Sequence, residues 1–294
     1  YSIADFVEMS VEEAGLFFAK LVNTKTKGSI VFSKNDSIIS TPIVREINKR
    51  IEDLLRVGLY YLSLDRSVNT LSGGEAQRVR LSTQLSTGLT GVIYILDEPS
   101  IGLHPRDNDK LIDTLKTLRD QGNTVIVVEH DQAMIESADY VVDVGPGAGE
   151  YGGEIIAVGT SAQIKKNPKS LTGLYLTGKE KISTPKKVHK GNNKKITIIG
   201  AKAFNLKNID VDIPLGRLVC VTGVSGSGKS TLIDGILGKA LSKHFYRAKA
   251  EPAEHKKIKG LSNIDKVIAI DQTPIGRTPR SNPATYTKVF DEIR

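Results

Sequence analysis

Cysteine is almost absent: Cys220 is the only one in 294 residues. That excludes a disulfide within the chain and any zinc site built from several cysteines, and it fits a cytoplasmic protein best. Long apolar runs are missing too. No stretch approaches the ~18 uninterrupted apolar residues of a transmembrane helix, and the mean hydropathy is −0.17. The first residue is Tyr1 rather than Met and no signal-peptide pattern follows it, so the sequence reads as a piece of something longer. No internal repeat recurs at the 20–50-residue scale. What remains is the composition of a soluble globular protein, 39% hydrophobic and 25% charged. At ~150 residues per domain the length suggests about two domains, ample for a hydrophobic core.

Acidic residues are outnumbered, giving a net charge of +8, but the excess is local. Between Lys179 and Lys195 seven lysines stand against Glu180 alone, which leaves only +2 for the rest of the chain. This polar run reads as a solvated linker; a tether that touches phosphates is the alternative.

The basic run divides the sequence into two blocks. In the first, Ser10-Val-Glu-Glu13 is a capping box ahead of an apolar run. Asn23 to Ser40 is polar and reads as a loop. Thr41-Pro42 then opens a helix with Ile43, Ile47, Ile51, Leu54 and Leu55 on one face, stopped by Gly58. Beyond Thr70 short apolar strands alternate with helices: strands at Val92–Leu96, Thr124–Val128 and Tyr140–Val144, and a helix at Asp107–Leu118. Such a pattern predicts a parallel sheet covered on both faces. In the second block, strands are predicted at Ile196–Ile199, Ile209–Ile213, Leu218–Thr222 and Val267–Ile270, with a helix from Lys229.

The strongest motif is Gly223-Val-Ser-Gly-Ser-Gly-Lys-Ser230, a complete GxxxxGK[ST] phosphate loop between an apolar strand and an apolar-periodic helix. Its glycines let backbone N–H groups turn inward at a helix N-terminus. Lys229 would supply charge to the β- and γ-phosphates and Ser230 a hydroxyl to Mg²⁺. The chain is therefore expected to bind a nucleoside triphosphate. A second motif is Leu71-Ser-Gly-Gly-Glu-Ala-Gln-Arg78, in which Ser72 can cap a helix whose first N–H groups are exposed by Gly73 and Gly74. Fourteen residues past Arg78 begins Val92-Ile-Tyr-Ile-Leu-Asp97-Glu98, a strand ending in two carboxylates. One suits Mg²⁺ and the next can polarise a water. The strand Thr124–Val128 ends in Glu129-His130-Asp131, which offers an imidazole at the same sheet edge.

This series resembles the signature, Walker B and H-loop of an ABC ATPase. More narrowly it resembles the UvrA family, the A subunit of the bacterial excinuclease of nucleotide excision repair. The similar stretches are Asn69–Arg80, Gly91–Asn108, Val127–Asp131, Asp143–Gly153, Leu206–Leu232 and Ile270–Tyr286. The resemblance implies an α/β fold of P-loop NTPase ABC-type cassettes, with parallel-sheet cores and a helical signature subdomain. It implies that Gly223, Gly226, Ser227, Gly228, Lys229, Ser230 and Thr231 hold nucleotide and metal. Gln272 would be the Q-loop glutamine near the γ-phosphate and Mg²⁺. Ser72, Gly73 and Gly74 would contact a γ-phosphate held by the opposing cassette. Asp97 would serve Mg²⁺, Glu98 would be the general base, His130 a γ-phosphate sensor, and Ser100–His104 the loop joining two sites. Arg277 and Arg280 would either touch phosphates or brace the glutamine loop.

The motif order departs from a single cassette, since the signature, Walker B and histidine precede the phosphate loop. The simplest account is the end of one cassette followed by the start of another. Residues 1–90 would be the helical signature subdomain of the first and 91–178 its C-terminal α/β part. Residues 179–195 would be the linker, and 196–294 the N-terminal α/β part of the second. Such a chain should bind ATP and hydrolyse it poorly by itself. A circularly permuted, self-sufficient cassette is the rival, and a nucleotide-gated clamp or scaffold without significant hydrolysis is another. The resemblance further implies double-stranded and preferentially damaged DNA, the UvrB subunit and a dimer as partners, and no membrane. It would place zinc in portions of a parent protein outside this chain, and it leaves open a UvrA-like paralogue in drug resistance. His104, His189, His244 and His255 lack metal-ligand spacing and read as surface or core residues.

Overall fold

A computed structural model of the chain describes residues 2–22, 34–270 and 282–293. Gln272, Arg277 and Arg280, with most of the polar segment after Asn23, lie outside the described residues. The chain divides into two units, Tyr1–Lys187 with Thr222–Ser227, and Val188–Val221 with Gly228–Arg294.

The first unit opens with helices α1 (Ile3–Val7), α2 (Val11–Val22), α3 (Lys34–Arg56) and α4 (Gly73–Thr87). The expected box before α2 is present: Glu13 Oε2 accepts the Ser10 N–H at 2.9 Å and Ser10 Oγ accepts the Glu13 N–H at 3.2 Å. Helix α3 differs from expectation, because Pro42 lies inside it rather than at its start. A proline there removes one intrahelical donor. The Thr41 hydroxyl donates to the Ser37 carbonyl at 2.6 Å, and the first half of the helix is exposed at Ile38, Ile39 and Ile43. Packing begins further along, where Ile51 joins Val11, Ala14, Val57, Leu59, Leu81 and Leu85 in one buried cluster.

The same cluster continues into the α/β part. Strand β1 (Ile93–Asp97) pairs in parallel with β2 (Thr124–Val128), joined through α5 (Pro105–Asp120). The two strands alternate. Tyr94, Leu96, Val125 and Val127 turn toward Leu111, Leu115 and Leu118 of α5, whereas Ile93, Ile95, Ile126 and Val128 are exposed. The sequence predicts cover on both faces, and among the described residues only one face is covered. Helix α6 (Gln132–Ser137) leads into β3 (Val141–Gly145), which pairs antiparallel with β4 (Glu154–Gly159). Helices α7 (Ser161–Lys166) and α8 (Leu171–Leu176) close the unit. Ser170 donates to Asp143 at 2.5 Å and Thr172 to the other carboxylate oxygen at 2.8 Å, which ties α8 to β3.

The second unit is built on β5 (Lys195–Ala201), flanked antiparallel by β6 (Ile209–Pro214) and β7 (Lys257–Lys259). Ile198, Ala201, Leu206, Leu232 and Ile236 form its core. Leu218–Thr222 and Val267–Ile270, predicted as strands, join no ladder among the described residues. A lone apolar strand has no partner for its backbone groups, and Leu218, Ile268 and Ile270 are largely exposed. From Lys229 the chain is helical as expected, widening to a π-type helix over Thr231–Gly238 and continuing as α9 (Lys239–Tyr246). Two short helices, α10 (Pro283–Tyr286) and α11 (Val289–Ile293), end the described residues.

Candidate functional site

Ser72 is the N-cap of α4, and its box with Glu75 closes both ways: Glu75 Oε2 accepts the Ser72 N–H at 2.8 Å and Ser72 Oγ accepts the Glu75 N–H at 3.3 Å. The remaining oxygen, Glu75 Oε1, accepts the Tyr61 hydroxyl at 2.6 Å. Burial opposes ionisation of Glu75, but hydrogen bonds from Tyr61 and Ser72, with the charge of Arg66, outweigh it and hold the carboxyl below its usual range. Tyr61 shifts the opposite way, raised by burial and then by the Glu75 carboxylate, so it stays a neutral donor.

Gly74 lets the first turn of α4 press against the loop after β1. A β-carbon at Gly74 would lie 2.4 Å from the Ile101 carbonyl oxygen. Because the obstacle is backbone, Gly74→Ala is expected to destabilise the protein by about 1–3 kcal/mol, outweighing the ~1 kcal/mol helix-propensity gain. A thermal melt checks this; an unchanged or raised midpoint contradicts it. Gln77 Nε2 donates to the Asp97 carbonyl at 3.0 Å, a second tie from α4 to the end of β1.

Asp97 ends β1 opposite Val128. Glu98 follows with φ +45, a left-handed backbone that costs a residue with a β-carbon roughly 1–2 kcal/mol. Its N–H donates to the Val128 carbonyl at 2.9 Å, which fixes the turn. The carboxylate is half-exposed, and its Oε1 is 3.4 Å from His130 Nε2. The structure thus brings Glu98 and His130 together at the carboxyl end of β1 and β2. Glu129, to which the sequence pattern assigns no role, is the staple behind them. Its Oε1 accepts the Ser100 N–H at 2.8 Å, and Oε2 accepts those of His130 at 3.0 Å and Asp131 at 3.3 Å. The signal was there: a carboxylate at a strand end facing a run of free loop N–H groups. His104 is the N-cap of α5, its Nδ1 accepting the Arg106 N–H at 3.2 Å. His189 Nδ1 accepts the Gly191 N–H at 3.1 Å, His255 Nδ1 is 2.8 Å from the Ala253 carbonyl, and His244 packs edge-on against Phe245.

In the phosphate loop Gly223, Gly226 and Gly228 have φ of +149, +74 and +97. Any β-carbon there would fill the cradle, meeting Ser227 Oγ at 2.9 Å, the Tyr61 ring at 2.4 Å and Leu206 at 2.9 Å respectively. Ser227 closes the turn by donating its N–H to the Val224 carbonyl at 3.2 Å. Lys229 and Ser230 are the first helical residues, with Thr231 next, which puts the loop at a helix N-terminus. The Ser225 hydroxyl is buried with no hydrogen-bond partner. A glycine cradle with an orphaned hydroxyl at a helix start fits a phosphate chain. Ser230 and Asp97 are hard oxygen donors of the kind Mg²⁺ shares with phosphates. Among the described residues no group of three or more His, Cys, Asp or Glu could hold a metal ion. No helix among them is long and apolar enough to cross a membrane.

No family model matches the chain. Curated relatives do, along its entire length. It is 59% identical over 293 residues to UvrABC system protein A of Aquifex aeolicus, covering 100% of this chain and 31% of that protein. To the Thermus thermophilus protein of the same name it is 56% identical, covering 100% and 30%. The chain therefore spans about three-tenths of the length of the curated relatives it matches. Among solved structures, UvrA2 from Deinococcus radiodurans superposes with a TM-score of 0.89 at 42% identity, over 99% of this chain and 35% of that one. The chain shares the fold of that segment of UvrA2, α/β with a helical part at its start.

Proposed function

We propose, from the premise that this chain is a segment of the UvrA family, that it supplies parts of two ATPase cassettes to a DNA-damage-recognition ATPase of nucleotide excision repair. The observation that carries the reading is the glycine cradle of residues 223–228 with its buried, unpartnered Ser225 hydroxyl, running into a helix at Lys229. Residues 1–90 and 91–178 are the signature and C-terminal parts of the first cassette. Residues 179–195 link it to 196–294, the N-terminal part of the second.

Gly223, Gly226, Ser227, Gly228, Lys229, Ser230 and Thr231 hold the phosphates of ATP, with Ser230 and Gln272 toward Mg²⁺. When bound, ATP with Mg²⁺ supplies the phosphoanhydride whose hydrolysis does work. Lys229 places its ammonium against the β- and γ-oxygens. Ser72, Gly73 and Gly74 present donors at the start of α4 to a γ-phosphate. Glu98 accepts a proton from water, Asp97 serves Mg²⁺, and His130, 3.4 Å from Glu98, orients that carboxylate and senses the γ-phosphate. Glu98 and Asp97 act on one nucleotide and Lys229 and Ser230 on another, so neither set is complete in this chain.

The whole protein works in the cytoplasm on double-stranded, preferentially damaged DNA, with UvrB and a second copy of itself. The test is binding of the full-length protein carrying this segment to a duplex with one bulky lesion and to the same duplex undamaged, with and without ATP. A preference for the lesion that changes with nucleotide is expected. Equal affinity for both duplexes under all conditions contradicts the reading.

A further inference from the structure

Tyr61 touches both the signature helix and the Thr222–Ser227 stretch of the phosphate loop, all within the first unit. Its hydroxyl donates to Glu75 Oε1 at 2.6 Å, while the other oxygen of that carboxylate holds the Ser72 N–H at 2.8 Å. Its ring occupies the space beside Gly226, where a β-carbon would lie 2.4 Å from Cγ and 2.6 Å from Cδ2. The ring cannot easily retreat. It packs on the first core and edge-on against Tyr60, with centroids 5.5 Å apart at 85°. Two buried polar groups nearby have unmet capacity: the Ser225 hydroxyl next to Gly226, and Nε and Nη1 of Arg78, a side chain that also reaches Tyr61. Buried donors of this kind are normally satisfied, and an anionic group at the loop would satisfy the Ser225 hydroxyl.

We propose that Tyr61 is a positioning residue that couples the phosphate loop to the signature cap, so that the donors at Ser72, Gly73 and Gly74 meet the terminal phosphate of a nucleoside triphosphate. The inference rests on reading the loop as an ATP site. The ring is the floor of Gly226, and the hydroxyl fixes the carboxylate that holds Ser72. Loss of the hydroxyl frees the cap without disturbing the loop. Loss of the ring disturbs both. Only the third phosphate reaches the cap, so a diphosphate should not feel the hydroxyl.

The experiment measures dissociation constants for ATP and ADP, with Mg²⁺, on the full-length protein carrying this segment and on its Tyr61→Phe, Tyr61→Leu and Lys229→Ala variants. Tyr61→Phe should weaken ATP about tenfold, the lower end of the effect of one hydrogen bond to a charged group. It should leave ADP within about twofold and the melting midpoint within about 2 °C. Tyr61→Leu should weaken both nucleotides. Tyr61→Phe that changes neither nucleotide, or both equally, overturns the proposal, as does a wild-type protein with no preference for ATP. Lys229→Ala that leaves both affinities intact overturns the ATP-site reading itself, a separate result.

Discussion

Replacing Lys229 by alanine is expected to weaken ATP binding to this chain by at least about 100-fold. The lysine stands at the head of the helix that follows the loop, one residue after Gly228 at φ +97. Its ammonium has no substitute among the other loop residues proposed to hold the phosphates, which offer only N–H groups and hydroxyls. Two charge-assisted hydrogen bonds at ~1.5–3 kcal/mol each correspond to roughly a hundredfold or more in affinity. The loop backbone does not depend on this side chain, since its turn is set by the glycines and by the Ser227 N–H on the Val224 carbonyl. Equilibrium binding of a labelled ATP checks the prediction, and the circular dichroism spectrum should be unchanged. A loss below about threefold would mean that the loop is not the binding site.

Glu98→Gln should separate binding from turnover. In the full-length protein carrying this segment, steady-state hydrolysis at the site containing Glu98 should fall by about 10²–10⁴, the usual contribution of a general base. ATP affinity should stay within about threefold. Glutamine keeps the size of the side chain and can still face His130, but it cannot take a proton. The left-handed backbone at Glu98 is held by its N–H on Val128 and does not depend on the carboxylate. A nucleotide-gated scaffold predicts otherwise, because its function would survive the substitution with no stalled, ATP-loaded state. Retained turnover would remove Glu98 from the mechanism.

Much of this was legible in the sequence, for local reasons. Caps are set by side chains a few residues apart, so Ser10 with Glu13 reads directly as a box and Ser72 as a cap, though its reciprocal partner Glu75 does not. Strands β1 and β2 were visible as apolar runs ended by acids, and the helix at Lys229 by its glycine loop. What failed depends on partners distant in sequence. Leu218–Thr222 has strand chemistry but no ladder, and β4 and β7 are defined by the strands they pair with more than by their own residues. Pro42 looked like a helix start because its missing N–H suits one. Here it sits in an exposed stretch where a lost hydrogen bond is tolerated. Tyr61 was invisible for a different reason: nothing in a Tyr60-Tyr61 pair says that one ring lies under Gly226, over 160 residues away.

The most direct test of the central claim is the steady-state ATP turnover of this chain, alongside its ATP binding, across a range of protein concentrations. Parts of two cassettes predict binding that requires Lys229, with turnover no higher than that of Lys229→Ala. Turnover that depends on both Lys229 and Glu98 and is independent of protein concentration would contradict it, because one chain would then hold a complete hydrolytic site.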